Sequence, residues 1–115
     1  MTNAAVSEAG TGAVPSVGEL LAVDREFRAV ASRQPVLHVQ RGERRFAALY
    51  STSSLARRLG RTNDWVVIDL ETPGPNPRWT VVTERLGVLK GARVVRGREV
   101  ECFRFYHERG RHAAA

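Results

Sequence analysis

The 115-residue chain predicts an α+β domain: a four- or five-stranded, mainly antiparallel sheet with an N-terminal helix, a short middle helix and a C-terminal helix. Three observations carry this. Apolar residues recur every three or four positions up to Val30, the spacing shortens towards two from Pro35, and helical spacing returns after Gly97. A single domain over residues 15–110 accounts for all of it, because too little chain remains for a second core.

Residues 1–14 are mostly small and polar and cannot repay the entropy of ordering, so a disordered tail is expected there. Ser16 and Glu19 then form a capping box that starts the first helix. Val17, Leu20, Leu21, Val23, Phe27 and Val30 form its apolar stripe, which leaves Asp24, Arg25, Glu26 and Arg28 on the wet side. Val36–Gln40 and Arg45–Tyr50 alternate around Arg41-Gly42-Glu43 and predict a hairpin. Serines at 51, 53 and 54 and Thr52 are candidate caps for a short helix over Leu55–Leu59, which Gly60 ends. Trp65–Leu70 predicts a strand buried on both faces. Prolines 73, 75 and 77 force a loop, since a central strand needs the amides they lack. Trp79–Thr83 and Ala92–Arg96 complete the sheet around a turn at Leu86–Gly91. The last helix opens at Gly97 with a Val100, Phe103, Tyr106 stripe and is expected to stop at Gly110, leaving residues 111–115 frayed.

Cys102 is the sole cysteine, so no internal disulfide is available, and the chain start lacks the basic and apolar regions of a secretory leader. No run approaches the ~20 apolar residues a membrane helix needs. A cytoplasmic protein without membrane contact is the expectation.

The formal net charge is +6, and every basic residue but Lys90 is Arg. A basic protein attracts polyanions, and the planar guanidinium suits phosphate. The charge is uneven: residues 1–40 carry −1, 41–61 carry +5, 62–84 carry −3 and 85–115 carry +5. The basic stretches nominate Arg41, Arg44, Arg45, Arg57, Arg58, Arg61, Arg93, Arg96 and Arg98 as phosphate contacts for DNA or RNA. Tyr50, Trp65, Trp79, Phe103, Phe105 and Tyr106 are candidate stacking platforms, and Phe105 lies off the last helix's stripe and so is expected at the surface. A basic surface meeting an acidic protein partner is the other binding mode. His38, His107 and His112 form no metal-ligand spacing, and neither a phosphate loop nor a nucleophile elbow occurs, so no cofactor is expected.

Two stretches resemble known families. Trp65–Thr72, a hydrophobic strand ending in Asp-Leu-Glu-Thr, resembles the first motif of the DEDD-type 3′ to 5′ exonucleases. The resemblance implies that Asp69 and Glu71 hold divalent metal for a nuclease; no further Asp follows Asp69 as that family requires. Arg61–Ile68, Thr80–Glu84 and Gly91–Glu99 resemble a small prokaryotic module associated with helix-hairpin-helix DNA-repair proteins, which implies a DNA-linked context and carries over no catalytic residue.

Overall fold

The structure, a computed structural model, describes residues 14–114. The predicted tail lies outside the described residues, apart from Val14. Helix α1 spans Val17–Val30, followed by β1 Val36–Arg41, β2 Arg44–Tyr50, α2 Ser54–Arg58, β3 Val66–Leu70, β4 Arg78–Thr83, β5 Arg93–Val95 and α3 Glu99–Ala114. The strands form one antiparallel meander in the order β1-β2-β3-β4-β5. The architecture is therefore α+β, with all five strands antiparallel.

The Ser16 hydroxyl caps α1 by accepting the Glu19 amide at 3.1 Å. The reciprocal arm differs from expectation: the Glu19 carboxylate accepts Arg44 Nη1 at 2.6 Å, because α1 crosses the sheet beside that guanidinium. Val17, Leu20, Leu21, Val23 and Phe27 of α1 are buried with Phe46, Ala48, Val66, Ile68, Val81 and Val95. Each fully buried large apolar side chain contributes about 1.5–3 kcal/mol. Phe27 meets the Tyr50 ring edge-on, with centroids 5.0 Å apart.

Asp24, placed on the wet side by its charge, is instead buried at 1% exposure. Its carboxylate accepts Arg93 Nη2 at 2.8 Å and Arg93 Nε at 3.2 Å, and Arg28 Nε at 3.1 Å. Arg93 also donates to Asp64 at 2.8 Å, to the Thr83 hydroxyl at 3.1 Å and to the Val81 carbonyl at 3.2 Å. All five guanidinium N–H groups thus find acceptors, the condition under which a charge pair survives burial.

The third strand is not buried on both faces. The register places Val67 and Asp69 beside Leu49 and Ala47 on the side opposite the core, where both are half-buried. Helix α2 ends as expected in a left-handed Gly60, φ +68°, with Gly60 N–H bonded to the Arg57 carbonyl and Arg61 N–H to that of Ala56. This is the Schellman arrangement. Open space surrounds a Cβ built on Gly60, so Gly60→Ala should lose only the backbone term, ~1–2 kcal/mol, in a urea melt.

Helix α3 uses a different face from the Val100, Phe103, Tyr106 stripe. Cys102, Phe105 and Tyr106 turn inward, while Val100 and Phe103 are exposed. The outer edge of β5 selects this face: Val95 N–H bonds Cys102 Sγ at 3.3 Å, and the Tyr106 hydroxyl donates to the Arg93 carbonyl at 2.7 Å. The helix thereby covers an edge whose polar groups would otherwise lack partners. Phe105, expected at the surface, lies so close to Gly18 that a Cβ there would sit 2.9 Å from the ring. Gly110 does not stop the helix, which continues to Ala114; an internal glycine weakens a helix by about 1 kcal/mol relative to alanine without removing its amide. No helix among the described residues is long and apolar enough to cross a membrane.

Candidate nucleic-acid interface

An antiparallel meander gathers alternate connections at opposite ends. The β1–β2 turn and the β3–β4 loop share one end, the hairpin end. The segment before β1, the α2 connection and the β4–β5 loop share the other, the α2 end.

The nominated arginines divide by whether they have carboxylate partners. At the hairpin end Arg41 meets Glu26 at 3.0 Å, Arg44 meets Glu19 at 2.6 Å and Arg45 meets Glu71 at 3.1 Å. Arg98 donates to both Glu101 oxygens at 2.7 Å and to the Pro15 carbonyl at 2.7 Å. Arg93 is enclosed by Asp24 and Asp64, with 13% of its side chain exposed. Five of the nine guanidiniums therefore already have carboxylate partners, and a phosphate would have to displace them.

Of the other four, Arg57, Arg58 and Arg61 belong to the α2 connection, and Arg96, whose amide bonds the Thr80 carbonyl of β4, reaches back towards it with its side chain. Arg57 donates only to the Thr52 carbonyl at 2.8 Å and Arg61 to the Leu59 carbonyl at 2.8 Å, so both keep free donors. Arg58 is exposed with neither hydrogen bond nor ion pair among the described residues. Arg96 lies over the Trp65 ring, 4.9 Å from its centroid, and the Trp65 amide bonds the Arg61 carbonyl at 3.0 Å. Trp65 and Arg96 thus meet across β4, and Arg61 stands in the turn just before Trp65. Arg33, before β1, and Arg85 and Lys90, in the β4–β5 loop, stand in the other connections of this end, and none of the seven forms an ion pair among the described residues.

Asp64 and Glu84 are carboxylates of the same end, and Asp64 is held by the Thr83 and Arg93 network. Burial pushes its pKa up, but the Thr83 hydroxyl and amide, bound at 2.6 and 3.0 Å, with Arg93 and Arg61 outweigh this and hold it below the ordinary value. It stays ionised and committed to the core network.

Sequence reasoning missed a second basic feature. A groove of about 320 Å³ between α1 and α3 is lined by Arg25, Arg28 and Arg109, with Phe105 and Tyr106 beneath. Arg93, at the first position of β5, also lines it, as does Gly18 near the start of α1. Arg109 stacks over Phe105 at 5.1 Å. The spacing of Arg25 and Arg28, three apart on one helix, was the available signal; Arg109, from another helix, had none.

Asp69, in β3, and Glu71, just after it, lie two positions apart at the end of this central strand, the spacing of the exonuclease motif. Asp69 accepts Arg78 Nε at 2.7 Å and Nη2 at 3.2 Å, while Glu71 is engaged by His38 Nδ1 at 3.2 Å and Arg45 at 3.1 Å. Among the described residues no group of three or more carboxylate, histidine or cysteine side chains is placed to hold a metal ion. Of the candidate platforms, Tyr50, Trp65, Trp79, Phe105 and Tyr106 pack against the core, and Phe103 is 44% exposed. Searches of protein-family models, curated proteins and solved structures return no match to this chain.

Proposed function

We propose that this protein binds nucleic acid without catalysis, through phosphate contacts made by Arg57, Arg58, Arg61 and Arg96 at the α2 end and reinforced by Arg33, Arg85 and Lys90. The observation that carries the reading is the difference in pairing: Arg41, Arg44 and Arg45 at the hairpin end, and the enclosed Arg93 and Arg98, have carboxylate partners, whereas Arg57, Arg58, Arg61 and Arg96 have none among the described residues. Unpaired guanidiniums pay no cost of breaking an ion pair when they meet a phosphate. The segments that resemble the DNA-repair-associated module, 61–68, 80–84 and 91–99, border the same end.

Binding of this kind is driven by release of counterions from the phosphodiester backbone and is largely indifferent to sequence. Four phosphate contacts give a slope of about −2.8 to −3.6 in log K against log salt, at 0.7–0.9 per contact. Fluorescence anisotropy with single- and double-stranded oligonucleotides across a salt series measures it directly. A slope near zero, or no binding at low salt, refutes the proposal, and a preference for one strand form shows which backbone geometry the arginines fit better.

A further inference from the structure

Eight large hydrophobic side chains are exposed among the described residues, and six of them fall into two groups at the α2 end. The first lines a groove of about 280 Å³ between the β4–β5 loop and α3: Leu86, Val88, Val100 and Phe103 are 80, 84, 66 and 44% exposed. Contiguous exposed apolar side chains of this size mark an interaction surface more often than chance decoration. The ionisable side chains lining that groove are Glu84 and Glu99. Each accepts a main-chain amide, Arg85 N–H at 3.0 Å and Gly97 N–H at 3.1 Å, and neither has a cationic partner among the described residues. In a chain of formal charge +6 this is an apolar groove with an acidic border.

The second group is apolar and has the complementary sign. Leu55 and Leu59, four apart, project from one stripe at α2, and both are exposed. Arg58 flanks that stripe and has no partner among the described residues. Ridge and groove thus carry opposite charge beside matching apolar surface, on one chain and at one end of it.

We infer that the protein forms a two-fold symmetric dimer in which the Leu55–Leu59 ridge of each copy fills the Leu86, Val88, Val100, Phe103 groove of the other, with Arg58 facing Glu84 and Glu99. Because both halves lie at the same end, one rotation satisfies both contacts and the assembly closes without extending into a filament. The apolar contact supplies the association, and the Arg58–carboxylate pairing sets the register. The inference goes beyond the nucleic-acid reading; it shares Arg58 and the neighbouring segments with it, but association is measured without nucleic acid, so either can fail alone.

Sedimentation equilibrium of the full chain without nucleic acid tests it. The expected mass is that of two chains, retained at high salt, where phosphate binding is lost. Leu59→Asp and Val88→Asp alter exposed positions, so each should keep its circular dichroism spectrum while weakening association roughly tenfold or more, the scale of losing a packed anchor. Each variant alone damages both ridge–groove contacts, whereas a mixed pair retains one intact contact. An equimolar mixture of the two should therefore associate more tightly than either alone. A single-chain mass at every concentration overturns the inference, as does a dimer that survives both substitutions or a mixture that shows no recovery.

Discussion

Asp24→Ala is expected to lower the free energy of unfolding by about 3–5 kcal/mol, the cost of removing one partner from a buried pair and stranding the other charge. Arg93 keeps Asp64, the Thr83 hydroxyl and the Val81 carbonyl, but loses the carboxylate that accepts two of its five N–H groups. For a domain of this size ~4–8 °C per kcal/mol translates the loss into a melting temperature lower by roughly 12 °C or more. Asp69→Ala is the internal control. Its partner Arg78 is 65% exposed, and such pairs contribute no more than ~1 kcal/mol. Differential scanning calorimetry of the two variants separates them. Similar small losses for both would mean that the Asp24–Arg93 network does not organise the junction of α1 and β5.

Simultaneous replacement of Arg57, Arg58, Arg61 and Arg96 by alanine is expected to weaken nucleic-acid binding about 1,000-fold in 0.1 M salt. Four contacts at 0.7–0.9 log units per tenfold change in salt account for this magnitude. The matching control removes Arg41, Arg44 and Arg45, whose charges are balanced by Glu26, Glu19 and Glu71. With a Debye length of ~10 Å at that ionic strength, these distant charges contribute through a screened field, so the control should lose roughly threefold or less. Equal losses in the two variants would point to a diffuse electrostatic field in place of a localised interface.

The difference between these two sets of arginines was illegible along the chain, for a physical reason. Local signals survive in sequence: the Ser16 cap, the Gly42 turn, the proline loop and the Gly60 stop each depend on residues a few positions apart, and the structure contains them. Pairing of charges depends on the tertiary fold. Glu19 and Arg44 are 25 positions apart, and Asp24 and Arg93 are 69 apart. Summing charge over stretches therefore counted as available several guanidiniums that the fold neutralises.

Asp24 shows how two signals conflict. It stands four residues after Leu20 and three before Phe27, which puts it on the buried stripe by spacing, while its carboxylate argues for water. Spacing prevails because Arg93 supplies a partner at that depth. The face of α3 was decided by groups invisible to periodicity, the edge amide of Val95 and the carbonyl of Arg93, which only Cys102 and Tyr106 are placed to satisfy. One consequence is the exposure of Val100 and Phe103. In β3 the visible clue to an open face was Asp69 itself, set in an otherwise apolar run.

Amide chemical-shift mapping of the labelled protein during titration with an oligonucleotide bears most directly on the proposed interface. Perturbations concentrated in residues 31–33, 52–65, 84–92 and 96 are the predicted result. Changes centred on the 41–45 turn and the 71–78 loop, or the absence of any, would contradict it.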